Sequence, residues 1–165
     1  MEAIRFANSV LKIFAEIVET AHGAVDKFTG DGLLAHFGVL RQDPHHAYHA
    51  CLCALEIQSS LGTVNRLRVV EDQPEVSVGI GIGTGLVAAG TISTGKKSEF
   101  SVFGDVVNTA SRIENLTKHL QVPILVSEAT YLLVEPMLEF ERMPVIPLRG
   151  KKGDHVTYSL LPRGE

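Results

Sequence analysis

Residues 25–38 read VDKFTGDGLLAHFG, with an alternating apolar run on each side of a Thr-Gly-Asp-Gly segment. This pattern predicts a β-hairpin spanning about residues 24–38. We expect the hairpin to hold Lys27 and Asp31 at its tip, where both side chains meet solvent or a ligand. A lysine is a cation with hydrogen-bond donors and an aspartate is a hard oxygen ligand, so the pair suits a nucleotide carrying a divalent metal. An ordinary hairpin with solvated tip charges is the alternative interpretation.

The composition indicates one folded globular domain. The chain has 165 residues, of which 45% are hydrophobic and 21% are charged, which is enough for a sizeable core. Its formal net charge of −4 argues against a nucleic-acid partner. Since no run of about 18 apolar residues occurs, we expect no membrane span. Since the N-terminus lacks a basic region followed by a hydrophobic one, we expect no secretory signal, and hence a cytoplasmic location.

The two cysteines, Cys51 and Cys53, fall within a predicted helix. Residues two apart point to different faces of a helix, so these thiols neither pair well nor share a metal. We expect them to be buried thiols of a protein in a reducing compartment.

Hydrophobic periodicity predicts the remaining elements. A first helix ends at His22 and Gly23, and a second begins with Asp43 as N-cap and Pro44 in its first turn and runs to about Leu61. The further predictions are strands at residues 75–89, 98–103 and 123–126, helices at residues 105–120 and 128–134, and two final strands around residues 144–154. This order predicts an α+β fold in which helices cover an antiparallel sheet.

Two glycine-rich segments imitate phosphate-binding motifs without matching them. Residues 79–85, GIGIGTG, contain no G-x-G-x-x-G frame, and no helix pattern follows. Residues 90–97, GTISTGKK, place Lys97 where a P-loop needs a serine or threonine. We expect these glycines to allow tight strand turns or the close approach of another backbone.

Three histidines, His45, His46 and His49, lie near the start of the second helix. His45 and His49 are one helical turn apart, a spacing that can bind zinc, but a third ligand and a general base are not evident. A solvated helix face is the favoured interpretation.

The segment FGDVVNTASR, residues 103–112, places Asn108 and Arg112 four residues apart near the start of a helix. An amide and a guanidinium presented together there can bind ribose and phosphate oxygens, assisted by the helix dipole. A surface pair at the start of a helix is the alternative. Residues 149–152, RGKK, add a cationic turn that is by itself an ordinary charged loop.

Taken in order, these segments resemble the class III nucleotidyl cyclase catalytic domain. The matching blocks are Lys27-x-x-Gly30-Asp31 with Ala35-x-Phe37-Gly38, Gly81-Ile82-x-Thr84-Gly85 with Gly90, residues 100–112 (FSVFGDVVNTASR), and Arg149-Gly150 near Tyr158. The resemblance covers nearly the whole chain and is greatest to bacterial adenylyl cyclases. It implies a ferredoxin-like α/β sandwich, with an antiparallel sheet covered by helices and the first strand missing, formed as a single domain by residues 1–165.

The resemblance also implies a reaction and a set of roles. In this family two domains pair head to tail around ATP, two Mg²⁺ or Mn²⁺ ions assist, and the ribose 3′-hydroxyl attacks the α-phosphate to give cyclic AMP and pyrophosphate. The implied roles are adenine recognition by Lys27 and Ser101, metal binding by Asp31, ribose and transition-state contacts by Asn108 and Arg112, and terminal-phosphate binding by Arg149. A lysine at position 27 favours ATP over GTP.

The family begins with a strand bearing Asp-Ile-x-Gly-Phe-Thr, which gives the first metal aspartate, and residues 1–20 contain no such segment. We therefore expect an N-terminally truncated domain with unpaired strand edges and weak or no activity by itself. We expect it to act as a homodimer or as a heterodimer with another cyclase domain. Two alternatives stay open: a non-catalytic nucleotide-binding or dimerisation module that regulates a partner cyclase, and an unrelated ferredoxin-like binding domain.

Overall fold

The computed structural model describes residues 1–146 and 155–164, which form four helices and eight strands. The elements are α1 Glu2–Thr20, β1 Gly23–Thr29, β2 Gly32–Phe37, α2 His46–Val70, β3 Ile80–Ile82, β4 Ala88–Thr94, β5 Lys97–Phe103, α3 Asp105–Leu120, β6 Ile124–Ser127, α4 Glu128–Val134, β7 Phe140–Arg142 and β8 Thr157–Leu160. The predicted α+β class is confirmed.

The strands form three sheets in the described part of the chain: the β1–β2 hairpin, the β4–β5 hairpin and a four-stranded sheet in the order β3-β6-β8-β7. β3 and β6 run parallel, whereas the other pairs run antiparallel. The prediction of one antiparallel sheet is therefore wrong in detail. The parallel pair arises because α3 crosses between β3 and β6 and returns the chain in the same direction.

α1 buries one apolar stripe formed by Val10, Phe14 and Val18. It ends where predicted, because His22 adopts a left-handed φ of 71° and turns the chain into β1. A side chain at Gly23, the first residue of β1, would meet the ring of Phe37 and force that ring to shift.

α2 is longer than predicted. It continues past Leu61 to Val70 and has 25 residues, so the expected end near Leu61 is wrong. Gly62 keeps helical geometry inside α2, because a single glycine weakens a helix without ending it. No helix among the described residues, α2 included, combines the length and the apolar content that crossing a membrane requires.

The segment between α2 and β3 is bonded to helix side chains instead of to a strand. Asn65 donates its amide to the carbonyl of Val76 and accepts the N–H of Val76, both at 2.8 Å. Gln58 donates to the carbonyl of Val78 at 2.8 Å. The strand predicted over residues 75–89 is therefore reduced to β3 and the start of β4.

The core lies on both sides of α2. Cys51 is fully buried in a cluster with Ile124 and Val126, whereas Cys53 belongs to a second cluster with Phe14 of α1. Burial raises the pKa of the Cys51 thiol to about 12 and that of Cys53 to about 11. The prediction of buried thiols on different faces is confirmed.

β3 packs directly on α3. A side chain at Gly81 would collide with the backbone of Ala110 and Glu114 on α3. The prediction that these glycines allow the close approach of another backbone is confirmed at this position.

Candidate functional site

The β1–β2 hairpin closes through a two-residue turn at Gly30 and Asp31, since Thr29 pairs with Gly32. Gly30 has a φ of 59°, which suits the first position of a type II′ turn. Asp31 is exposed at the tip, as predicted. Lys27 is not at the tip, because β1 continues to Thr29 and pairs Lys27 with Leu34.

A buried carboxylate that the sequence reasoning missed lies beside Lys27. Asp26 is the extra residue of a β-bulge, because Val25 pairs with Ala35 and Lys27 pairs with Leu34. The Asp26 side chain is 0% exposed. The signal in the sequence is the pair of charged residues at 26 and 27, which interrupts the period-two alternation of the strand.

Asp26 brings the two predicted base-recognition residues together. Its Oδ2 accepts the hydroxyl of Ser101 at 3.2 Å and lies 3.7 Å from Nζ of Lys27. Its Oδ1 accepts the backbone N–H of Val102 at 3.3 Å. Ser101 is 7% exposed, whereas the side chain of Lys27 is 47% exposed, so Lys27 is open to a ligand and Ser101 lies at the base of the site.

His36 on β2 lies near the same carboxylate. Burial lowers the pKa of the His36 imidazole below its ordinary value of 6.5, and the charge of Asp26 partly opposes this shift. The His36 ring also lies against Phe100 of β5 in an edge arrangement, with ring centroids 6.1 Å apart. The two hairpins therefore contact each other through the hydrogen bond between Ser101 and Asp26 and through the ring contact between His36 and Phe100.

α3 begins directly after β5 and carries the other predicted residues. Asn108 is exposed and Arg112 is half-buried, one turn apart on the same helix face, as predicted. Asn108 lies in the first turn of α3, where the helix dipole favours anions, and Arg112 lies one turn further along. Arg149 lies outside the described residues.

The histidines near the start of α2 are not simply solvated. The ring of His49 lies 4.9 Å from that of His22, and its Nδ1 lies 2.6 Å from Oδ2 of Asp43. Asp43 also accepts the N–H of His45, so it caps the turn that precedes α2, which starts at His46. The hydrogen bond from His49 lowers the pKa of the Asp43 carboxyl. The solvated-face interpretation fails for His49, because the turn after α1 packs against α2.

Asp31 is the residue to which the resemblance assigns a metal ion. Within residues 1–146 and 155–164, no group of three or more His, Cys, Asp or Glu side chains is arranged to hold a metal ion. An exposed carboxylate fits Mg²⁺ or Mn²⁺ as one hard oxygen ligand of several. Asp31 therefore fits a metal site completed by other oxygen donors.

Sequence comparison identifies the family of these segments. A family model described as the adenylate and guanylate cyclase catalytic domain matches residues 1–162. An adenylate cyclase of Anabaena cylindrica is 37% identical over 133 residues, which are 78% of this chain and 26% of that protein. The chain spans about a quarter of the length of the curated adenylate cyclases it matches.

Structure comparison gives the same fold. The adenylyl cyclase CyaB from P. aeruginosa matches with a TM-score of 0.90 and 21% identity, over 99% of this chain and 85% of that chain. The guanylyl cyclase Cya2 matches with a TM-score of 0.84 and 28% identity, over 96% of this chain and 82% of that chain. Because one of these structures is described as an adenylyl and the other as a guanylyl cyclase, the shared fold alone does not select the nucleotide.

Proposed function

The chain belongs to the adenylate and guanylate cyclase catalytic domain family, and from this membership we propose that it is an adenylyl cyclase-type domain converting ATP to 3′,5′-cyclic AMP and pyrophosphate. The observation that supports ATP is the meeting of Lys27 and Ser101 at the Asp26 carboxylate, 3.7 Å and 3.2 Å from the same oxygen. Adenine offers a ring-nitrogen acceptor and an amino donor on one edge. A lysine ammonium donates a hydrogen bond to the ring nitrogen, and a serine oxygen accepts one from the amino group.

The ribose and phosphates are assigned to α3. Asn108 and Arg112 present amide and guanidinium donors on one face near the helix N-terminus. These groups bind ribose and phosphate oxygens and hold the 3′-hydroxyl toward the α-phosphate, and positioning of this kind lowers the barrier to reaction. We assign the terminal phosphates to Arg149, on the resemblance alone.

Asp31 would hold the metal in the proposed site, as one oxygen ligand. A bound divalent ion lowers the pKa of the attacking hydroxyl and offsets charge on the phosphates. Asp31 is the only carboxylate to which the resemblance assigns a metal in this sequence. We therefore expect these 165 residues, assayed by themselves, to bind Mn²⁺ weakly and to turn over slowly.

We propose that the active site forms between two protomers. Lys27, Ser101, Asn108 and Arg112 would serve one site and Asp31 the other. Exposed aromatic rings on the two hairpins support a contact surface there: Phe28 is 57% exposed, Phe100 37% and Phe103 44%. Exposed aromatic side chains are enriched at protein interfaces. The partner is either a second copy or another cyclase domain.

A complementation assay tests the proposal. The chain is mixed with a cyclase domain that keeps both metal aspartates but has alanine in place of its own ribose-binding asparagine and arginine. Since that domain cannot form an active site alone, cyclic AMP produced from Mn-ATP only in the mixture supports the proposal. Robust turnover by the 165 residues alone would contradict the expected weak activity.

The same samples test the second candidate, a non-catalytic nucleotide-binding module. ATP titrations are run with and without Mn²⁺. If the affinity for ATP is the same with and without Mn²⁺, and no mixture forms cyclic AMP, the non-catalytic module is favoured over the cyclase.

A further inference from the structure

We infer that Asp26 is a positioning residue that sets the nucleotide preference by fixing the direction of the Ser101 hydroxyl. The inference rests on the proposed function and assigns a role to a residue that lies behind the base-recognition pair. The Asp26 side chain is 0% exposed, so it would not touch a bound nucleotide.

The bulge in β1 determines where the Asp26 side chain lies. Because Asp26 is skipped in the pairing of β1 with β2, it is released from the alternation of the strand. Its carboxylate reaches β5, where Oδ1 accepts the N–H of Val102 and Oδ2 accepts the hydroxyl of Ser101. The backbone bond to Val102 fixes the carboxylate in the orientation that receives the serine proton.

The hydroxyl of Ser101 has one proton and two lone pairs. Since the proton is donated to Asp26, the oxygen presents only lone pairs to a ligand. It therefore accepts a hydrogen bond from an amino group and cannot donate one to a carbonyl. Adenine carries an amino group at its 6-position and guanine carries a carbonyl there, so the fixed hydroxyl favours ATP.

Lys27 also favours adenine over guanine. Its ammonium lies 3.7 Å from the Asp26 oxygen that receives the serine proton. A lysine has three donors and no acceptor, so it pairs with the unprotonated N1 of adenine and not with the protonated N1 of guanine. Asp26 thus holds one donor and one acceptor in the order that the adenine edge requires.

The substitution Asp26→Asn tests the inference, because the amide keeps the size of the carboxylate and can donate to the Ser101 oxygen. The serine proton is then free to point toward the base. We expect the ratio of GTP to ATP dissociation constants to fall about tenfold, the worth of one net hydrogen bond. Calorimetric titration measures this ratio in the chain mixed with the complementing partner. It uses 3′-deoxy-ATP and 3′-deoxy-GTP with Mn²⁺, because these nucleotides lack the attacking hydroxyl and bind without turnover.

Three further variants complete the test. Ser101→Ala should lower the ratio, and Asp26→Asn added to it should change nothing more, since the two residues act through one hydroxyl. Ser98→Ala is the matched control, because its hydroxyl lies on the same strand but pairs with Ser93 at 2.9 Å. It should leave the ratio unchanged. A ratio that Asp26→Asn does not alter in a folded protein would overturn the inference.

A second measurement does not depend on the folding of the Asp26 variant. Ser101→Ala should weaken ATP about tenfold and leave inosine triphosphate, which has a 6-carbonyl, unaffected. Equal losses for both nucleotides would mean that the hydroxyl donates freely, and would overturn the inference while leaving the proposed function intact. If Lys27→Ala and Asn108→Ala leave nucleotide binding unchanged, the proposed function fails and the inference fails with it.

Discussion

Ser101 donates its hydroxyl proton to the buried carboxylate of Asp26 at 3.2 Å, and this contact joins the β1–β2 hairpin to β5. The residues are far apart in the chain, and the backbone N–H of Val102 binds the other carboxylate oxygen. The same carboxylate therefore has a structural role between the hairpins and a positioning role in the proposed site.

Asp26→Ala should destabilise the fold. The substitution leaves the Ser101 hydroxyl and the Val102 N–H without a partner, and a buried unsatisfied donor costs about 1–3 kcal/mol. We expect the free energy of unfolding to fall by roughly 2–4 kcal/mol, measured by urea denaturation followed by circular dichroism. Asp31→Ala, at the exposed tip of the same hairpin, is the control and should change stability by less than about 0.5 kcal/mol.

Gly81→Ala should separate β3 from α3. A methyl group there would collide with the backbone of Ala110 and Glu114, which cannot rotate away as a side chain can. We expect a loss of about 1–3 kcal/mol or more in urea denaturation. Gly90→Ala is the matched control, because nothing lies within 4 Å of its Cβ position. Equal stability of the two variants would show that β3 does not pack directly on α3.

The Asp43–His49 pair should make stability depend on acid pH. The hydrogen bond from His49 lowers the folded-state pKa of Asp43 below its ordinary value of 3.8, so the pair stabilises the fold above that pH. The contribution is lost as the pH falls through the lower folded-state pKa. The urea midpoint should therefore fall more between pH 6 and pH 3 in the original chain than in Asp43→Asn. If the urea midpoint falls equally in the two proteins between pH 6 and pH 3, the Asp43–His49 pair does not contribute to the pH dependence of stability.

Both cysteines should be unreactive in the folded chain. Burial raises the thiol pKa values to about 12 for Cys51 and about 11 for Cys53, so almost no thiolate exists at pH 8. Iodoacetamide at pH 8 should modify neither residue until urea unfolds the chain, as followed by mass spectrometry. If iodoacetamide modifies Cys51 rapidly without urea, the face of α2 that packs on β6 is not buried.

The sequence was a good guide where the determinants are local. The bounds of α3 and α4 agree with prediction, because apolar periodicity defines α3 and Ser127 caps α4 by accepting the N–H of Thr130. The hairpin was predicted from its glycine turn.

The errors concern contacts between distant residues. The extension of α2 accompanies the two hydrogen bonds between Asn65 and Val76, which no helix pattern contains. Asp26 was missed because its partners, Ser101 and Val102, lie on another hairpin, and a bulge shifts its side chain out of the expected alternation. A buried charge becomes recognisable only with its partners in place.

In the function proposed above, this chain contributes the base and ribose side of a shared adenylyl cyclase site. Cyclic AMP formation from Mn-ATP tests this proposal, in mixtures of the complementing partner with either the original chain or Asn108→Ala. We predict activity with the original chain and a loss of roughly 10²–10³-fold with Asn108→Ala, whose exposed side chain contributes little to folding. Equal cyclic AMP formation in the two mixtures, or none in either, would contradict the proposal.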